Sequence, residues 1–225
     1  MLLPYGSEDR DSGGAGSADG WLCRGTLASL TELNELSLGM LAEQAAVRGA
    51  SGSLLLHLIA ELWRTLDASG RRRAAGCPYL LVDAGFADPL RWQSSRAPQI
   101  GDAGDGAYAG FFTVPCATEV ARLVFTYAWH LARSHEAAAR LLLGMPAPTA
   151  AAINDYTLRQ IHTLAESHTQ WLTPRWPTRV QVWRELLLAA ASGEPLVLER
   201  ARLRGLTLLA ADARLAPRTE RLLAY

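Results

Sequence analysis

Apolar residues recur at helical rather than strand spacing along most of this chain. From Leu27 to Val47 the set Leu27, Leu30, Leu33, Leu36, Leu38, Leu41 and Ala45 predicts one amphipathic helix. Leu54–Leu66 predicts a second, with Gly70 in the following "DASG" as its C-terminal stop. The helical period resumes over Thr118–Ala132 and Glu136–Leu143; it breaks around "RSH" and stops at "LGMPAP", where Gly144 and two prolines interrupt it. A short turn or helix is expected at 149–154. Further helices are expected over about 158–169, 179–191 and 196–213, with Gly193 and Pro195 separating the last two.

Local signals refine this outline. Thr157 stands three before Gln160 and Thr178 three before Gln181, so both read as capping boxes, in which the two side chains satisfy free backbone N–H groups. The apolar run Tyr79–Val82 is too short for its period to decide, and the reading leans to helix. There is no repeat of fixed period and no sustained strand alternation. The expected fold class is therefore all-α, with two helical segments separated by a long Gly-rich loop. In this division residues 1–20 form a flexible N-terminal tail, because "GSEDRDSGGAGSADG" at 6–20 holds too little apolar area to offset chain entropy. Residues 21–92 form an N-terminal helical region, and 93–116, containing "QSSRAPQIGDAGDGAYAG", form the loop or linker. Residues 117–225 form the second helical region.

The 225 residues carry 22 basic and 22 acidic side chains, and every basic one is arginine. The abundance of Ala, Leu and Arg without lysine points to a GC-rich bacterial coding sequence. Charge is divided: residues 1–116 hold nine Arg against thirteen acids, and 117–225 hold the reverse. A protein that binds DNA alone usually shows a larger basic excess, although the second half has the right sign to contribute. With 49% hydrophobic residues the chain can bury a core without staples. No signal-length apolar start and no stretch of roughly 20 apolar residues is present, so the expected location is the cytoplasm, without membrane contact.

Most motif chemistry is missing. No P-loop, dinucleotide fingerprint, nucleophile elbow or H-E-x-x-H occurs, and the absence of lysine excludes Schiff-base chemistry. Cys23, Cys77 and Cys116 lack a C-x-x-C pair and a nearby histidine pair, so they read as inert thiols, with no metal and no cofactor expected. His57, His130 and His135 are isolated. His162 and His168 would stand about 120° apart on a straight helix, too far round it to share a metal. The expectation is a protein without catalytic residues.

In "YTLRQIHTLAESH" the residues Leu158, Ile161, Leu164 and Ala165 form one buried stripe, with Arg159 and Glu166 facing away and His168 on the packed side. Downstream, "QWLTPRWPTRVQVWREL" sets Trp171, Trp176 and Trp183 beside Arg175, Arg179 and Arg184. Two readings stand: arginines stacked on core-edge tryptophans, which is the commoner arrangement, or a basic face for phosphates and bases.

The run "YAWHLARSHEAAARLLLGMPAPTAAAINDYTLRQIHTLAESHTQWLTPRW", residues 127–176, resembles the FlhD subunit of the flagellar transcriptional master regulator. The likeness lies in a helix leading to Leu143-Gly144, a spacer, Leu158, Gln160, Leu164-Ala165-Glu166 and a closing Arg175-Trp176. "LTELNELSLGMLAEQ" at 30–44 is also similar to that family's first helix. The resemblance implies a non-enzymatic helical transcriptional regulator subunit that forms a homodimer or hetero-oligomer and meets DNA together with a partner subunit. On that reading Arg159, Arg175, Arg179 and Arg184 are the nucleic-acid-binding residues. The alternative is a helical protein-interaction or adaptor module that does not touch nucleic acid.

Overall fold

Helices begin and end where local chemistry satisfies their free backbone groups. The computed structural model describes residues 24–48, 53–95 and 110–222, with side chains of the last helix described as far as Ala213. The expected tail at 1–20 and residues 96–109 of the expected loop lie outside the described residues. In order these are α1 (Arg24–Arg48), α2 (Leu54–Leu58), α3 (Ala60–Thr65), α4 (Ala68–Ala75), β1 (Val82–Asp83), α5 (Pro89–Ser94) and α6 (Ala117–Ser134). There follow α7 (Glu136–Leu143), α8 (Ala147–Asn154), α9 (Leu158–Ser167), a 3-10 turn (Thr169–Trp171), β2 (Thr173–Pro174), α10 (Val180–Ser192) and α11 (Pro195–Leu222). The fold is all-α apart from β1 and β2, which pair antiparallel with Val82 opposite Pro174 and Asp83 opposite Thr173.

Four expectations are corrected. Gly70 does not stop a helix. The chain turns at Leu66, and the Asp67 carboxylate accepts the Gly70 N–H at 2.6 Å, so α4 starts there with Gly70 inside it. The predicted Leu54–Leu66 helix is divided into α2 and α3 at Ile59, whose backbone leaves the helical region. Thr178 forms no capping box. The Arg179 N–H closes a turn onto the Trp176 carbonyl at 3.0 Å, Arg179 occupies the cap, and no side chain caps α10. At α9 the box does form, with the Thr157 hydroxyl accepting from Gln160 N–H and the Gln160 side chain accepting from Thr157 N–H at 2.8 Å. Left-handed glycines end α7 and α10, at Gly144 and Gly193.

The fourth correction concerns Tyr79–Val82, which is not helical: it bends at Tyr79 and Leu81, enters β1 at Val82 and lies within the core, with exposures from 0 to 2%. A buried segment outside helix and sheet must find partners for its backbone groups. Asn34 of α1 supplies them from one side: its amide donates to the carbonyls of Ala75 and Tyr79 at 3.1 and 2.9 Å, and its oxygen accepts the Leu81 N–H at 2.8 Å. From the other side the Leu80 N–H reaches the Leu142 carbonyl at 2.9 Å and the Arg175 N–H reaches the Leu81 carbonyl at 2.8 Å. One continuous apolar core surrounds this segment and draws on both sides of the 96–109 stretch. Within it α1 packs on α4 and α6, α4 also on α10, and α6 on α7, α8 and α9. Trp92 stacks on Phe86 at 5.8 Å and meets Phe125 and Trp171 at 5.3 and 5.5 Å.

Candidate functional site

Of the four arginines expected to meet nucleic acid, Arg175 points inward. It is 7% exposed, and its guanidinium donates to three main-chain carbonyls: Leu80 at 2.7 Å, Val82 at 3.3 Å and Leu143 at 2.9 Å. Asp83 stands 3.7 Å away as its counter-charge. Burial pushes its pKa down, and Asp83 acts in the opposite direction. Leu143 is the last residue of α7, so Arg175 also neutralises the negative end of that helix. With Nε and Nη2 engaged in this way, Arg175 is a core clamp and not the exposed side chain expected.

The other three are exposed and stand on different ground. Arg179 pairs with Asp212 of α11 at 3.3 Å, and the same carboxylate accepts the Trp176 indole N–H at 2.7 Å. Arg159 lies on α9 and Arg184 on α10, and neither has a polar partner among the described residues. α9 packs on α6, whereas α10 packs on α4 and α11. The fold thus brings Arg175 and Arg179 to neighbouring positions and leaves Arg159 on another helix. The tryptophans follow the packing reading: Trp183 is buried, Trp171 and Trp176 sit at the core edge, and Arg91 and Arg175 lie over their rings at 5.4 and 6.0 Å.

Burial raises the pKa of two thiols and of one phenol. Burial pushes the Cys77 thiol up to about 11, and it is hydrogen-bonded to Tyr79, whose phenol is also pushed up by burial. Cys116 is raised by partial burial and by the Glu43 carboxylate, which its thiol contacts at 3.5 Å. His168 caps the end of α9, packs on Trp171 at a ring distance of 4.5 Å and shares a 2.8 Å hydrogen bond between its Nδ1 and the Ser167 hydroxyl. Among the described residues no cluster of three His, Cys, Asp or Glu side chains could hold a metal ion, and no helix is long and apolar enough to cross a membrane.

The feature that sequence reasoning missed is a groove of about 370 Å³ between α7 and α11. Ala137, Arg140 and Leu141 form one wall, and Leu206, Leu209, Ala210 and Ala213 form the other. α11 has two apolar faces. Leu198, Gly205 and Leu209 are buried against the body of the protein. At roughly 100° per residue, Leu196, Leu203, Leu206, Ala210 and Ala213 fall on a second face, spaced as the a and d positions of a heptad. Leu196 is 82% exposed, and Leu203 of α11 and Leu141 of α7 are each 54% exposed. The signal was present in the sequence as a second stripe within 196–213; a search for one buried stripe per helix passes over it.

Comparison of the chain with protein-family models, with curated proteins and with solved structures finds no match.

Proposed function

We propose that this protein is a non-catalytic interaction subunit that engages a partner through the groove between α7 and α11. The observation that carries this reading is the second apolar face of α11. One face already holds the helix to the protein, and the exposed Leu196–Leu203–Ala210 line runs into a groove edged by Leu141. The raised thiols of Cys77 and Cys116 support a role in binding over covalent chemistry. The test compares proteins captured from a native lysate by the parent chain and by Leu141→Glu, with circular dichroism confirming that both fold. A partner retained by the parent and lost by the variant is expected. Identical captured sets overturn the reading.

A second reading, a FlhD-like transcriptional regulator subunit in a cytoplasmic protein–DNA complex, is favoured by two observations. The stretch 127–176 forms an unbroken succession from α6 to β2, and Arg159 and Arg184 are exposed without partners among the described residues. In this reading those two arginines meet phosphates, with most of the DNA affinity coming from a partner subunit. Anisotropy of labelled promoter fragments, titrated at low and physiological salt with Arg159→Glu/Arg184→Glu as control, tests it. Salt-independent or absent binding rejects it.

A further inference from the structure

Resting on the interaction reading, we infer that the element seated in the α7–α11 groove is an acidic amphipathic helix of a partner protein. The shape argument comes first. The exposed stripe from Leu196 to Ala213 spans 17 residue steps, about 26 Å of helix, which is the reach of a partner helix of about five turns. From Leu203 to Ala213 its residues alternate as a, d, a, d, with Glu199 at the d position after Leu196, a pattern that a straight strand or loop does not follow but a second helix does. Among the described residues the groove offers one polar side chain, Arg140, and not the several convergent polar groups with which small-molecule sites orient a ligand.

Charge then selects the kind of helix. Arg140 flanks the groove on α7, and Arg200 flanks the stripe on α11, four residues after Leu196 and three before Leu203. Both are exposed, and neither has an ion pair or hydrogen bond among the described residues. Among the described residues, Asp212 beside the groove is paired with Arg179. Glu199 lies within the stripe, but its carboxylate is drawn to Arg202 at 3.7 Å, and Arg204 is paired with Glu185. Glu136 stands one turn before Arg140 without pairing to it and is not part of the groove wall. Two unneutralised guanidinium groups therefore edge an apolar seam, which suits carboxylates at the flanking positions of the incoming helix. A second copy of this chain fits less well, because an isologous contact through this face sets the same arginines against each other.

The experiment uses the full chain and three labelled peptides of about 21 residues, long enough to cover the stripe. The first has a leucine seam with glutamate flanks, the second the same seam with lysine flanks, and the third glutamate flanks with a serine seam. Anisotropy titrations at low salt are expected to rank the first at least about tenfold tighter than either other, with the advantage over lysine shrinking at high salt. Arg140→Glu/Arg200→Glu is expected to reverse the preference between glutamate and lysine flanks, and Leu141→Glu to weaken the leucine peptides together. Equal binding of the first two peptides, abolished by Leu141→Glu, overturns the acidic assignment while leaving the interaction reading in place. Absence of binding by all three overturns the acidic helix, and an unchanged lysate set for Leu141→Glu overturns the interaction reading as well.

Discussion

Arg175 and Arg179 lie four residues apart in a basic, Trp-rich stretch, yet their substitution should have unequal effects. Arg175→Met removes the donors that serve the carbonyls of Leu80, Val82 and Leu143 and strands Asp83 without its counter-charge. Orphaned buried acceptors make this loss on the order of 3 kcal/mol or more. Arg179→Ala breaks a solvent-screened pair with Asp212 and should lower stability by less than about 1 kcal/mol. Urea unfolding at constant slope measures both, and equal effects would reject the clamp. A second prediction concerns pH. Burial, with Arg91 acting in the same direction, holds the His168 pKa below its ordinary 6.5. The unfolded chain therefore takes up a proton first as pH falls, so this contribution is complete above 6.5 and is lost progressively below it. Melting temperatures from pH 8 to 5 should fall at the acid end, and His168→Gln should flatten that part of the curve.

At the scale of elements, two identical T-x-x-Q signals have different fates. Thr157→Ala removes a cap that forms and should destabilise by about 1 kcal/mol, whereas Thr178→Ala should remain within about 0.5 kcal/mol of the parent. Thermal melts of the two variants side by side check this, and comparable losses would contradict the assigned start of α10. The contrast shows what was legible in the sequence. Helix positions, the capping box at α9 and the glycine stops at Gly144 and Gly193 are written in nearest-neighbour chemistry, and the helical period located α1, α6, α7, α9, α10 and α11. What was illegible depends on distant groups. Trp176 takes a positive φ of 53°, with its indole held by Asp212, and the resulting turn displaces the start of α10. Tyr79–Val82 stays out of a helix because Asn34 and Arg175 satisfy it across the fold, and nothing within the run itself announces that. For the same reason the candidate site was only partly legible: Arg159 and Arg184 are surface residues as expected, and Arg175 is not.

For the whole molecule, the acidic and basic halves of the sequence share one core, and the clamp on Tyr79–Val82 comes from both. α11 joins this arrangement closely. Gly205 faces the Tyr79 hydroxyl, and a Cβ there would lie 1.9 Å from it, so only glycine allows the helix to settle at that depth. A fragment comprising residues 117–225 is accordingly expected not to fold alone, since Arg175 would lose the carbonyls of Leu80 and Val82 and Trp183 would lose Trp63. Its heteronuclear NMR spectrum should be collapsed and poorly dispersed, and a dispersed spectrum would show instead that the second half is autonomous. The clamp also has a consequence for biosynthesis. Arg175 follows Leu80 by 95 residues, an interval of roughly 5–20 s at ribosomal elongation rates. During that time the nascent Tyr-Leu-Leu-Val segment has been made together with one of its two side-chain clamps, Asn34, and without the other. The emerging polypeptide thus passes through a stage in which its most buried backbone is its most adhesive, and chaperones that shield short apolar stretches would act there, before residue 175 appears.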